Sequence, residues 1–135
     1  MRFSILIFLL SLNIFASENY ELKLYEKVIP LIFSLSSIDI YADGEAKQTI
    51  AKSKLLKLNN DCAKANLLIS KRQKNITKEC KELPYFATNY KSYKDSKNSI
   101  GVFYWRKGRP QLKLNKKNIQ KFNLQLPKNL EKYAQ

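Results

Sequence analysis

Apolar residues in NYELKLYEKVIPLIFSL recur at spacings of three and four: Leu22, Tyr25, Val28, Ile29, Ile32 and Phe33. That period places them on one stripe and predicts a first helix. Pro30 falls inside the stripe, where its missing N–H predicts a kink or an end unless the freed carbonyls are satisfied elsewhere. In SIDIYADG the pattern changes to alternation, with Ile38, Ile40 and Ala42 against Asp39, Tyr41 and Asp43, and it stops at Gly44. A short strand running into a turn is expected there. EAKQTIAKSKLLKL returns to helical register through Ala46, Ile50, Ala51, Lys54 and Leu55.

ANLLIS is a brief apolar run of the kind found in a strand buried on both faces. KRQKNITKECK has the length of a short helical crossover, and PYFATNY reads as the next strand, entered through Pro84. YKSYKDSKNS, residues 90–99, has no clear period and reads as the most flexible stretch. IGVFYW is a further strand, Arg106 to Pro110 a corner, and QLKLN a strand returning antiparallel at the sheet edge, with Gly108 supplying the positive φ of the turn. Asn115 is placed to cap a helix carrying Ile119 and Phe122, Asn123 to close it, and Pro127 to open a last helix with Leu130, Tyr133 and Ala134 inward. Alternating strands and helices predict one small α/β domain: a mainly parallel sheet with an antiparallel edge hairpin and helices on both faces.

The N-terminus changes the expected compartment. Arg2 precedes an apolar run from Phe3 to Phe15, and Ala16 and Ser17 follow as small residues. Glu18 and Glu21 close the run at about 14 residues, short of the ~20 that a spanning helix needs. Residues 1–16 therefore read as a cleaved signal peptide in preference to a retained anchor, and residues 17–135 as the exported domain, in the periplasm. Cys62 and Cys80 are then expected to form a disulfide, because each precedes one of two consecutive strands by a few residues and so lies at the same end of the sheet.

Charge is uneven. Residues 46–135 hold 22 Lys and Arg against five acids, within a formal net charge of +14. Such a balance attracts anions. Yet Lys outnumbers Arg 21 to four and is scattered through every segment, which reads first as compositional bias; with export, it also speaks against a nucleic-acid partner.

The chain has no histidine, which removes Ser-His-Asp and Cys-His catalysis and histidine metal sites, and its three glycines stand alone, which removes a phosphate-cradling loop. No catalytic set, metal site or cofactor is implied, and the protein reads as a non-enzyme. Two candidate sites remain. Arg106, Lys107 and Arg109 on a stiff hairpin, with Trp105 beside them, could grip a carboxylate, a phosphate or an acidic protein surface; the competing reading is a solvated turn whose charges protect an edge strand. Trp105, Tyr104 and Phe103 are expected in the core, except that alternation sends Tyr104 and Trp105 to opposite faces and frees one for a pocket or interface. The alternative site is a ligand crevice at Asp39, Tyr41 and Asp43, by the first strand's end, where ligands of open α/β sheets bind. Asn75-Ile76-Thr77 matches a glycosylation sequon by spacing alone.

SIGVFYWRKGRPQLKLNKKNIQKFNLQLPKNLEKYA resembles the closing pattern of YfiR-like periplasmic proteins: strand, short turn, strand ending in Asn, helix, Leu-x-Leu step and final helix ending in Ala. IDIYADG and NLLIS stand where that family has its first strand and a later buried strand, and the likeness runs in order through most of residues 22–135. This chain is shorter and lacks the Trp-Pro step that commonly follows the family's first helix. The resemblance implies an exported α/β domain that binds and restrains a membrane-bound signalling enzyme, typically a diguanylate cyclase; the expected function is to restrain or modulate such a protein, a diguanylate cyclase or a sensor kinase, through a protein surface. The alternative is a periplasmic small-molecule or anion-binding protein.

Overall fold

The structure, a computed structural model, describes residues 20–71 and 76–134. The signal-peptide reading and Asn75 of the sequon lie outside those residues. The elements are helix α1 (residues 20–33), β1 (Ile38–Ala42), α2 (Gly44–Ala51), β2 (Leu56–Leu58), a 3-10 turn (Cys62–Lys64), β3 (Leu67–Ser70), α3 (Lys78–Glu82), β4 (Tyr85–Ala87), α4 (Tyr90–Asp95), β5 (Ser99–Arg106), β6 (Arg109–Leu114), α5 (Lys116–Lys121) and a closing 3-10 helix (Lys128–Tyr133). They form one small mixed α/β domain around a six-stranded sheet in the order β2-β1-β3-β4-β5-β6. Every pairing is parallel except β5 with β6.

Strand alternation divides the core in two. Ile38, Ile40, Ala42, Leu67, Ile69, Phe86, Phe103 and Leu114 point to one face, where Tyr25, Val28, Ile29 and Ile32 of α1, Ile50 of α2 and Ile119 of α5 cover them. Leu68, Tyr85, Ala87 and Val102 point to the other, under Tyr93 of α4. β3 is buried at all four positions, as expected of a strand covered on both sides. On this second face Cys62 and Cys80 are joined in a disulfide, with Cα atoms 5.1 Å apart, which ties the turn before β3 to α3 before β4.

Four local expectations are corrected. The helix after Gly44 ends at Ala51, and the Leu-Lys-Leu expected to continue it is β2: Ser53 Oγ accepts from the N–H groups of Leu55 and Leu56 and redirects the chain to the sheet edge. Residues 90–99, read as flexible, contain α4, because Asn89 accepts from Ser92 N–H as its N-cap and Tyr93 anchors it at 7% exposure. α1 continues past Pro30 because Ile29 and Ile32, each 1% exposed, hold its last turn on the sheet. That turn is closed by Ser34 N–H, which donates to the Pro30 carbonyl four residues back, and from outside by Gln125 N–H, which donates to the Ile32 carbonyl. Finally, the segment opened by Pro127 is a 3-10 helix.

The hairpin and the caps follow the sequence. Lys107 and Gly108 have φ of 51° and 74°, the pair of positive values that a two-residue type I′ turn requires. Asn115 caps α5 through Asn118 N–H, and Asn123 terminates it at φ 57°.

Candidate functional site

The strand order changes direction between β1 and β3: the chain leaves β1 toward β2 on one side and later adds β3 on the other. At such a point the loops leaving the carboxyl ends of the two strands part, and a crevice opens. Here it has a volume of about 340 Å3 and is bounded by Asp43, Gly44, Glu45 and Ala46 after β1, Lys71 after β3, Thr88 after β4, the end of β5 and Glu21 of α1.

Local chemistry fixes its shape. Gly44, at φ 56°, lets the chain turn from β1 straight into α2. Asp43 is the residue before α2, but its side chain makes no cap hydrogen bond. Its carboxylate instead accepts from its own backbone N–H and from that of Lys71, which ties the β1 loop to the β3 loop. The Lys71 carbonyl in turn accepts from Asn89 Nδ2 and Ser92 Oγ, both at 2.6 Å, and Tyr85 donates to the Ser70 carbonyl at 2.7 Å. These hydrogen bonds link the loops after β1, β3 and β4 into one floor. Partial burial raises the Asp43 carboxyl above the ordinary carboxylate value, against the two backbone hydrogen bonds that lower it.

One wall is aromatic. Trp105 is 42% exposed, so of the expected core aromatics it is the one freed for a pocket; its ring lies 5.8 Å from that of Tyr20, itself 46% exposed, and 5.7 Å from Phe103. Phe103 is in the core and Tyr104 is half-buried on the opposite face. The reason is register: Trp105 pairs with Pro110 near the tip of the hairpin, where the α1 ring against it is the exposed Tyr20, whereas Phe103 also lies against the fully buried Tyr25.

Of the three residues expected at the strand-end crevice, only Asp43 lines it. Asp39 and Tyr41 alternate with Ile38, Ile40 and Ala42, so they face the other side of the sheet; Tyr41 borders a separate cavity beside the disulfide. The hairpin group also divides. Trp105 belongs to the crevice, whereas Arg106, Lys107 and Arg109 are exposed and line neither that crevice nor the cavity beside the disulfide. Arg106 and Arg109 are direct cross-strand partners, so two guanidinium groups leave the same face of the hairpin side by side. Glu21, Glu45, Lys71 and Thr88 were not foreseen as site residues. The available signal was position: Lys71 and Thr88 directly follow β3 and β4.

Chemically, the crevice offers carboxylates, a hydroxyl, one ammonium and an indole face. That set can bind and orient a ligand, and it suits a cationic or hydrogen-bond-donating group more than an anion. Among the described residues, no group of three or more His, Cys, Asp or Glu side chains is arranged to hold a metal ion, and no helix is long and apolar enough to cross a membrane. The disulfide is consistent with an oxidising compartment. No protein-family model matches the chain, and no curated protein is similar to it.

Proposed function

We propose that this protein is an exported, non-enzymatic regulatory module that binds a membrane-bound signalling protein through the hairpin end of its sheet and modulates it, as the resemblance to YfiR-like proteins implies. The observation that carries this reading is the direct pairing of Arg106 with Arg109 at the tip of a two-residue turn. Like charges directly opposite each other on a sheet destabilise it, and a carboxylate-bearing partner surface turns that repulsion into attraction. Trp105, next in sequence but on the opposite face of the hairpin with Phe103, adds an exposed aromatic anchor of the kind that dominates interface energies, so a partner that uses both grips the tip from two sides. Diguanylate cyclases and sensor kinases are the partner classes to look for.

The test is co-purification from detergent-solubilised membranes of the native host, with partners identified by mass spectrometry. Arg106→Glu combined with Arg109→Glu, and separately Trp105→Ala, should remove a membrane signalling protein from the eluate while the melting temperature holds. Undiminished capture by both variants sinks the reading.

A second reading, a small-molecule-binding protein, is favoured by the crevice at the switch point with Asp43 at its edge. Its carboxylates direct the search to amines in place of anions. A thermal-shift panel of amines should then give stabilisation that grows with concentration and is lost in Asp43→Asn. A flat response across the panel removes this reading.

A further inference from the structure

A second concavity, of about 400 Å3, lies between α1, β6 and the closing 3-10 helix, and its chemistry is the reverse of the crevice's. Lys23 and Lys27, one turn apart on α1, stand on one rim and Lys132 on the other, and no acidic side chain lines it. The three lysines are exposed, whereas Leu24, Leu112 and Tyr133 between them are partly buried and pack on the core. The floor is thus recessed and apolar, under a cationic rim. The Lys132 ammonium lies 5.2 Å from the centre of the Tyr133 ring, so its stem follows the apolar wall while its charge stays at the edge.

We infer that this groove binds a single-chain anionic amphiphile, an acyl chain with a carboxylate head. Three features select that occupant. The volume is that of a small-molecule site. The rim is cationic on both walls without a compensating acid, so the head must be negative. Leu24, Leu112 and Tyr133 are partly buried while the three lysines are exposed, so a flat membrane surface meets the charges first, whereas a thin chain can enter between them. The inference is independent of the partner proposed above, because none of the hairpin cations lines this groove.

The protein carries its own reporter. Trp105 is the one tryptophan in the sequence, and its ring is 5.8 Å from that of Tyr20, which lines the groove. Dodecanoate, titrated below its micelle concentration into the purified protein, should give a saturable change in Trp105 emission that weakens as salt is added. Dodecyl maltoside and acetate should give none, the first lacking the charge and the second the chain. Replacing the rim in Lys23→Gln, Lys27→Gln and Lys132→Gln together should weaken dodecanoate by about tenfold, taking each exposed pairing at the modest value usual for surface charges. Leu112→Asn, which leaves the rim intact, should weaken it as well. Equal response to the neutral amphiphile, or dodecanoate binding undiminished in the triple variant, overturns the inference. So does binding to phosphatidylglycerol vesicles without any response to monomeric dodecanoate, which would assign the lysines to a membrane surface.

Discussion

Replacing Gly101 by alanine tests the packing at the centre of the larger core. Gly101 lies in β5 between Phe86 of β4 and Leu114 of β6, its direct partners on either side. An added methyl carbon would fall 2.7 Å from Phe86 Cε2 and 2.9 Å from Leu114 Cδ2, where carbon atoms prefer about 3.5–4.0 Å. Neither neighbour can swing away: both are fully buried, and the Phe86 ring is braced edge-on by Tyr25 at 5.7 Å. Overpacking of this kind costs about 1–3 kcal/mol. Against it stands a gain of about 0.4–1 kcal/mol, because alanine restricts the unfolded chain and the backbone at Gly101, unlike that at Gly44 and Gly108, is not left-handed. With contacts this short the steric cost lies in the upper half of its range, about 2–3 kcal/mol, so it wins and leaves a net loss of roughly 1–2.6 kcal/mol, or a melting point lower by about 3–12 °C for a domain of this size. Thermal and urea unfolding followed by circular dichroism read it directly. Trimming the obstacle with Phe86→Leu should recover part of the loss, so that the two substitutions couple favourably. If Gly101→Ala is as stable as the parent, or its cost adds independently to that of Phe86→Leu, then Phe86 and Leu114 do not close over Gly101 as described.

Other parts of the fold make their own predictions. Reducing the disulfide, or replacing both cysteines by serine, should cost about 3 kcal/mol by loop entropy for a sequence separation of 18; a reduced protein that melts with the oxidised one contradicts its structural role. Burial raises the Asp43 carboxyl, so the native state holds this proton to higher pH than the unfolded chain does, and the group's contribution to stability falls as pH rises from the ordinary carboxylate value through the raised native one. Asp43→Asn keeps an acceptor for Lys71 N–H and should therefore be at least as stable as the parent at neutral pH, with the advantage vanishing in acid; lower stability at neutral pH refutes that assignment. Arg109→Gln relieves the repulsion with Arg106 and should raise stability by about 0.2–1 kcal/mol while weakening partner capture.

Where the sequence was legible, a local rule and the tertiary environment agreed. The stripe of α1, the alternation of β1, the Asn115 cap and the turn at Lys107 and Gly108 each follow from period or backbone preference. β2 was missed because its three residues are too few to show alternation, and the preceding helical register runs on through Leu55 without a break. α4 was missed because one buried side chain, Tyr93, carries its inward face, so no apolar period exists to be read. The candidate site was half legible for a geometric reason. Asp39, Tyr41 and Asp43 share one side of the alternation, and only a residue past the end of the strand escapes the sheet faces to reach the crevice. Glu21 joins Asp43 there from a distant helix, a juxtaposition set by the doubly wound topology.

The same topology gives the uneven charge a spatial meaning. The acids Glu21, Asp43 and Glu45 belong to the N-terminal third, before the strongly basic stretch begins at residue 46, and all three meet at one crevice. Neither the lysines of the groove nor the cations of the hairpin line it. The boundary runs through the first turn of α1, where Glu21 faces the crevice while Tyr20, Lys23 and Leu24 face the groove. Tyr20 and Trp105 meet across that boundary as a tilted ring pair, so an occupant of either concavity bears on the pair that also flanks the hairpin. A partner approaching the hairpin end therefore meets opposite charges on neighbouring patches, and a surface patterned in this way orients an encounter where uniform positive charge would only accelerate it. Compositional bias toward lysine accounts for how basic the chain is; it does not account for three of its 11 acids converging on one concavity while the neighbouring groove has none.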